Sequence, residues 1–287
     1  MPADEAQSSQ EDGVDLEALA RLFTIPRAPA QGLVKALIDT FFHVEVTGVE
    51  NIPAEGGALI ICNHTDLIDV PIQAVHSPRR IIYLGKAELF EPDKAISQFL
   101  FQEGSPLNAP GLGVVRGAIE ATLATIGAAH RIQLTEWGGQ PIVRNFRGET
   151  AKAAVEYYKD LEDFMVGLLE QGHMLSIYPE GTRTNTGVMA PFKALAAKIA
   201  IRAGVPIVPS GISGAFKFLT LESFLSGRMF RTAIHYNIGK PFQPDEFPPG
   251  DLKKSSKELT ALLEKQVYAL TQHPERREQS RGRARVL

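Results

Sequence analysis

From Ala58 almost to the C-terminus, strand-length apolar runs alternate with longer segments whose apolar positions recur every three or four residues. ALIIC (58–62), RIIYL (80–84), PIVR (141–144), HMLSIYP (173–179) and VPIVPSGI (205–212) are short apolar runs of strand length. Helical spacing predicts helices from about Asp69, after RIIYL, from about Glu149 to Gln171, from about Pro191 to Ala203, and from Leu252 to Leu270. Arg231–Ile238 (RTAIHYNI) alternates with period two and reads as a late strand. Alternation of this kind predicts an α/β fold with a largely parallel central sheet flanked by helices.

Three segments break the rhythm. Val14–Ile25 and Gly32–Phe42, separated by Pro26 and Pro29, have the spacing of two amphipathic helices, whose apolar faces suit either the core, a subunit contact or a membrane surface. Residues 14–46 are therefore set apart from the domain at 47–272. Gln102–Gln140 is rich in Gly, Pro and Ala, with one weak helical stretch at 119–126, and reads as a lid-like insertion. The last residues, 273–287, carry five arginines against two glutamates and suit either a solvated end or contact with anionic lipid.

Composition narrows the partners. The chain is 44% hydrophobic and 22% charged with a formal charge of −3, so no basic field favours nucleic acid. Residues 1–13 are acidic and polar, unlike a secretory signal, and read as a disordered tail. No run approaches the roughly 20 apolar residues that span a bilayer. The single cysteine, Cys62, excludes an intramolecular disulfide and reads as a small buried hydrophobe. The expected setting is cytoplasmic, with peripheral membrane association if the substrate is a lipid.

Candidate chemistry starts at Asn63-His64-Thr65-Asp66-Leu67-Ile68-Asp69, where a buried strand ends and a helix begins. Ligands in open α/β sheets bind beyond the carboxyl ends of the strands. On one continuous helix His64 and Asp69 would point about 140° apart, so they meet only if the chain turns between them, as a strand-to-helix corner does. A carboxylate on one imidazole nitrogen fixes the tautomer and stabilises the imidazolium formed when the other takes a proton. Asp66 or Asp69 could equally cap the helix. With seven histidines in 287 residues, such a pair arises by chance in roughly one chain in four.

The second block, Tyr178-Pro179-Glu180-Gly181-Thr182-Arg183-Thr184, follows HMLSI and is a loop, because proline and glycine there end both strand and helix. Gly181 allows close backbone approach, Thr182 offers a hydroxyl, and Arg183 presents a planar fork suited to phosphate. No Gly-x-Ser-x-Gly elbow occurs, which disfavours a serine hydrolase.

Together with Val205-Pro206-Ile207-Val208-Pro209, the two blocks resemble the glycerophospholipid acyltransferase family over about residues 52–212, with 1-acylglycerol-3-phosphate acyltransferases the best match. The resemblance implies that His64 is the general base and Asp69 its orienting partner. It implies that Glu180, Gly181, Thr182 and Arg183 shape the acceptor site, with an upstream arginine. Arg144, in Gly139–Arg144, matches that arginine better than Arg116, in Gly113–Arg116, although the interval after Lys86 is longer than usual. Asp66 stands where the family often has serine. Lys193, after Pro191-Phe192, adds positive charge or is an exposed helical lysine.

The implied reaction moves a fatty-acyl group from an acyl-CoA or acyl carrier protein thioester to a lysophospholipid hydroxyl, forming phosphatidic acid at a membrane surface. No metal and no cofactor beyond the thioester co-substrate is implied. Another lysolipid or an amino-lipid acceptor, and a non-catalytic lipid-binding protein, are the competing readings.

Overall fold

The computed structural model describes residues 20–109, 111–143, 146 and 150–271. The acidic tail, the expected helix up to residue 19, the arginine-rich tail and Arg144 lie outside the described residues. In chain order the elements are α1 (Arg27–Phe41), β1 (His43–Thr47), β2 (Ala58–Cys62), α2 (Asp69–His76), β3 (Ile81–Lys86), α3 (Pro92–Leu100), α4 (Gly113–Glu136) and β4 (Gly139–Ile142). There follow α5 (Ala151–Glu170), β5 (Met174–Ile177), α6 (Leu195–Ala203), β6 (Ile207–Ser213), α7 (Leu221–Leu225), β7 (Ala233–Ile238) and α8 (Leu252–Leu270).

Two compact units divide the described residues: 20–25 with Ala87–Glu136, and Pro26–Lys86 with 137–271. The first unit is helical. Its α4 runs for 24 residues, far beyond the short stretch at 119–126 that the sequence suggests. Glycines at 113, 117 and 127 weaken the local helical signal, but Gly127 also lets α4 approach α3, since a Cβ there would lie 2.2 Å from Asp93 Oδ1. Ile25 is tied to α4 by a reciprocal pair with the Gln133 side chain, at 2.8 and 2.9 Å.

The second unit holds a seven-stranded sheet in the order β1-β7-β6-β2-β5-β3-β4. The five strands β4-β3-β5-β2-β6 are mutually parallel, and β7 pairs antiparallel with β6. The largely parallel sheet flanked by helices is the architecture that the apolar runs predict. The sheet begins earlier than residue 47, because His43–Thr47 pairs parallel with β7 along its whole length. α1 likewise starts at Arg27 and not after Pro29; Pro29 sits in the first turn, where a helix N–H has no intrahelical partner.

β2 places Leu59 and Ile61 on one face, in a cluster with Met165, Leu169, Ile199, Leu263 and Val267 from α5, α6 and α8. Ala58, Ile60 and Cys62 face the other way, toward Ile72, Phe218 and Tyr236. All five residues are fully buried, and each buried Ile or Leu contributes about 1.5–3 kcal/mol. Pro209 sits within β6 without breaking it. Ile207 donates its N–H to Phe242, so the missing N–H of Pro209, two residues on, falls on the same side, in the gap between the last β7 pair at Ile238 and the Ile207–Phe242 bridge. Gly211 admits the end of α8, since a Cβ would lie 2.7 Å from the Leu270 carbonyl carbon.

Candidate functional site

The candidate site lies where β2 and β5 leave the sheet. Asn63 anchors the corner. Its Nδ2 donates to the Ile212 carbonyl at 2.9 Å and its Oδ1 accepts from the Ile212 N–H at 2.8 Å, which locks the residue before His64 to β6 as a backbone would.

His64 and Asp69 do meet. His64 Nδ1 lies 2.9 Å from Asp69 Oδ2, and Asp69 is completely buried. The same Oδ2 accepts the N–H groups of Thr65 at 2.6 Å and Asp66 at 2.9 Å, while Oδ1 accepts the Thr65 hydroxyl at 2.9 Å. Asp69 therefore does not cap the helix that it opens; it folds the corner back on itself and aims the imidazole. Asp66 has the humbler local role, accepting the Ile68 N–H at 3.4 Å. His64 Nε2 has no hydrogen-bond partner among the described residues, and the side chain is 16% exposed.

The second block wraps the main chain of the first. Glu180 Oε1 accepts the His64 N–H at 2.7 Å, and Thr184 donates its N–H to the His64 carbonyl at 2.9 Å. Glu180 Oε2 accepts the Ala190 N–H at 2.7 Å. Both carboxylate oxygens are thus engaged inside the protein. Burial pushes the Glu180 carboxyl up to about 7, against the downward pull of these N–H donors, and the Asp69 charge adds to the rise. Tyr178 stacks on the His64 ring, with centroids 4.2 Å apart and planes 24° apart.

Gly181 has φ +76°, and a Cβ there would lie 2.6 Å from Lys193 Nζ, so the lysine side chain lies across this glycine. Lys193 donates its N–H to the Pro179 carbonyl at 2.9 Å. It is not a helical lysine, because α6 begins only at Leu195; the bond to Pro179 holds residues 191–194 out of the helix. Thr182 and Arg183 are exposed. Of the two upstream arginines, Arg144 lies outside the described residues. Arg116 is engaged within the helical unit, bonded to Glu120 at 2.9 Å and lying 4.7 Å over the Phe101 ring.

A shallow cleft adjoins this corner, lined by Thr65, Glu180 and Thr184 together with Met189, Ile212, Phe216 and Tyr268. Phe216 and Tyr268 carry no motif signal. Asn63, Tyr178 and Thr184 lie inside the motif blocks but take their contacts from partners far away in sequence. Among the described residues no three His, Cys, Asp or Glu side chains gather as metal ligands would. Cys62 is fully buried, and burial pushes its thiol up, which fits a packing residue.

Residues 43–102 and 113–213, more than half of the chain, match the protein family described as Acyltransferase. The chain is 26% identical over 239 residues to a 1-acyl-sn-glycerol-3-phosphate acyltransferase of Bacillus subtilis (strain 168), covering 83% of this chain and 92% of that one. It is 36% identical over 83 residues to a 1-acyl-sn-glycerol-3-phosphate acyltransferase alpha of Ovis aries, covering 28% and 29% of the two chains. The crystal structure of the 1-acyl-sn-glycerophosphate acyltransferase PlsC from Thermotoga maritima superposes with a TM-score of 0.48 at 19% identity, over 89% of this chain and 88% of that one. The chain belongs to the acyltransferase family and is an O-acyltransferase.

Proposed function

We propose that the protein transfers a fatty-acyl group from an acyl-CoA or acyl carrier protein thioester to the free hydroxyl of 1-acylglycerol-3-phosphate, forming phosphatidic acid for phospholipid biosynthesis. The observation that carries the chemistry is the 2.9 Å contact of His64 Nδ1 with a buried Asp69, beside a cleft and with Nε2 unbonded among the described residues. The choice of acceptor rests on the relatives, two of which are named for acting on that lysolipid.

With Nδ1–H donating to Asp69, the lone pair on Nε2 points outward as a general base. Nε2 takes the proton as the acceptor oxygen attacks the thioester carbonyl. The tetrahedral intermediate then collapses, the carbon–sulfur bond breaks, and the same proton leaves on the thiol. No covalent acyl-enzyme is needed. Asp69 stabilises the transient imidazolium, and its three further hydrogen bonds keep it from swinging away. Glu180, Gly181, Thr182 and Arg183 shape the acceptor site, with Arg144 as the upstream phosphate ligand. Lys193, lying across Gly181, supports an anionic acceptor here. Work at a membrane surface is part of the reading; among the described residues no helix is long and apolar enough to cross a membrane.

The test is a panel of lysolipid and amino-lipid acceptors with acyl-CoA and acyl carrier protein donors, read by mass spectrometry. Product should form with 1-acylglycerol-3-phosphate, and His64→Ala should fold normally while losing at least about a hundredfold in turnover. Transfer only to another acceptor would overturn the substrate assignment, and a well-folded, fully active His64→Ala protein would overturn the mechanism.

A further inference from the structure

The segment after β6 reverses the rule that governs soluble surfaces. In α7, Leu221 and Leu225 are 73% and 74% exposed, while Ser223 between them is fully buried. Leucines four residues apart share one face of a helix, so this short helix turns Ser223 inward and presents Leu221 and Leu225, with Glu222 beside them, to the outside. Leu219, Phe224 and Phe230 extend the exposed apolar surface. Exposed leucines scattered singly need no explanation, but a contiguous cluster does.

The segment is also stiff. Phe224 packs edge-on against Phe230 at 5.9 Å, Phe230 stacks on Phe42 at 6.3 Å, and Phe42 meets the fully buried Phe218 at 5.1 Å. Thr220 caps α7 by accepting the Ser223 N–H at 3.1 Å. The outward leucines are thus held in place by an aromatic ladder that reaches the core, and are not the tip of a loose loop. α1 carries a further exposed apolar stripe, Leu33, Leu37 and Phe41, which ends one residue before Phe42.

Charge identifies the occupant. Between Phe216 and Arg231 the charged residues are Lys217, Arg228 and Arg231 against Glu222 alone. Arg228 donates to the carbonyls of Phe216, at 3.2 Å, and Lys217, and Arg231 donates to those of Ser226, at 2.7 Å, and Gly227. These bonds fix two guanidinium groups at the border of the apolar patch. An apolar face rimmed by cations is the pattern of an interfacial element on anionic lipid.

We propose that Lys217–Arg231 docks onto an anionic bilayer surface, with Leu219, Leu221, Phe224, Leu225 and Phe230 entering the acyl boundary and the cations at headgroup depth. Phe216, the residue before this element, lines the cleft beside Thr65 and Glu180, and Arg228 binds its carbonyl. Docking therefore sets the cleft wall at the lipid surface, where a lysolipid enters without passing through water. The docking itself stands on the patch; only the cargo rests on the acyl-acceptor reading above.

The test uses the full chain and vesicles of phosphatidylcholine, alone or mixed equally with phosphatidylglycerol, read by co-sedimentation. Leu221→Ser with Leu225→Ser should raise the lipid concentration for half-binding by about tenfold or more, with an unchanged melting temperature. Lys217→Asn, chosen because asparagine tolerates the positive φ found there, should cut the gain from phosphatidylglycerol by about fivefold and leave binding to pure phosphatidylcholine alone. Unchanged half-binding in the double variant overturns the proposal. So does a loss of oligomeric mass in the lipid-free double variant with vesicle binding intact, which would make the patch a contact between copies of the chain. Turnover of a detergent-dispersed short-chain lysolipid by the double variant should stay within about twofold of the unsubstituted chain. If the unsubstituted protein binds vesicles through this patch but acylates no lysolipid, the acceptor reading fails and the docking stands.

Discussion

Replacing Glu180 by glutamine keeps the shape of a fully engaged buried side chain while removing its ionisation. In the unfolded chain the carboxyl ionises near its ordinary value of 4.5; in the fold, burial holds it up to about 7. Between those two values the unfolded state has released the proton and the folded state has not, so stability falls as pH rises through that window. Below about 4.5 both states are protonated and above about 7 both are ionised, so the contribution is flat at either end. The span corresponds to roughly 3 kcal/mol. Glutamine has its own cost, because its amide sets an N–H against the N–H of His64 or Ala190, but that cost does not vary with pH. The measurement is urea unfolding of both proteins by circular dichroism from pH 4 to 8. Other titrating groups cancel in the difference. The unsubstituted protein should lose about 3 kcal/mol relative to Glu180→Gln between pH 4.5 and 7. Parallel stability curves for the two proteins would refute the argument that this carboxyl is buried at a net cost in order to hold the His64 main chain.

Three further outcomes are expected if the proposed mechanism holds. Asp69→Asn replaces an acceptor of four hydrogen bonds with a group that meets some of those donors with its own N–H, so turnover should fall at least about a hundredfold and stability by about 2–4 kcal/mol, checked by steady-state kinetics and denaturant unfolding. Asn63→Ala leaves the buried Ile212 N–H and carbonyl unpaired and should cost about 2–3 kcal/mol, read from the unfolding midpoint at constant m-value. Arg144→Lys and Arg183→Lys should each raise the acceptor KM by about tenfold with the donor KM nearly unchanged, because lysine cannot reproduce a bidentate fork; Arg116→Lys, paired with Glu120 in the other unit, should do little.

The central strands are legible because parallel strands covered on both faces must be continuously apolar, and ALIIC is. The edge strand His43–Thr47 gives only a weak alternation, HVEVT, whose meaning depends on pairing with β7 some 190 residues later. α4 is obscured for a related reason: its glycines lower local helical preference, and the packing against α3 that offsets them is not local. α8, whose amphipathic face lies against one continuous core, runs from Leu252 to Leu270 in the sequence pattern and in the fold alike.

The candidate site shows the same division between local and distant information. That His64 and Asp69 can meet follows from five residues and a strand-to-helix corner. That Glu180 holds His64 follows from register. β2 pairs with β5 so that Ile61 lies beside Ile177; His64 is three residues past the first, and Glu180 is three residues past the second. Two parallel neighbours that leave the sheet together bring those positions level, and the 2.7 Å bond from the His64 N–H to Glu180 closes between them. A slip of one residue in this pairing would turn every side chain of β2 to the opposite face, moving Leu59 and Ile61 off the α5 and α6 core while carrying His64 away from its clamp. Burial of the strand and placement of the imidazole are therefore fixed by one choice of register. This is why two motifs 116 residues apart operate as one structural unit, whatever the chain does in the interval between them.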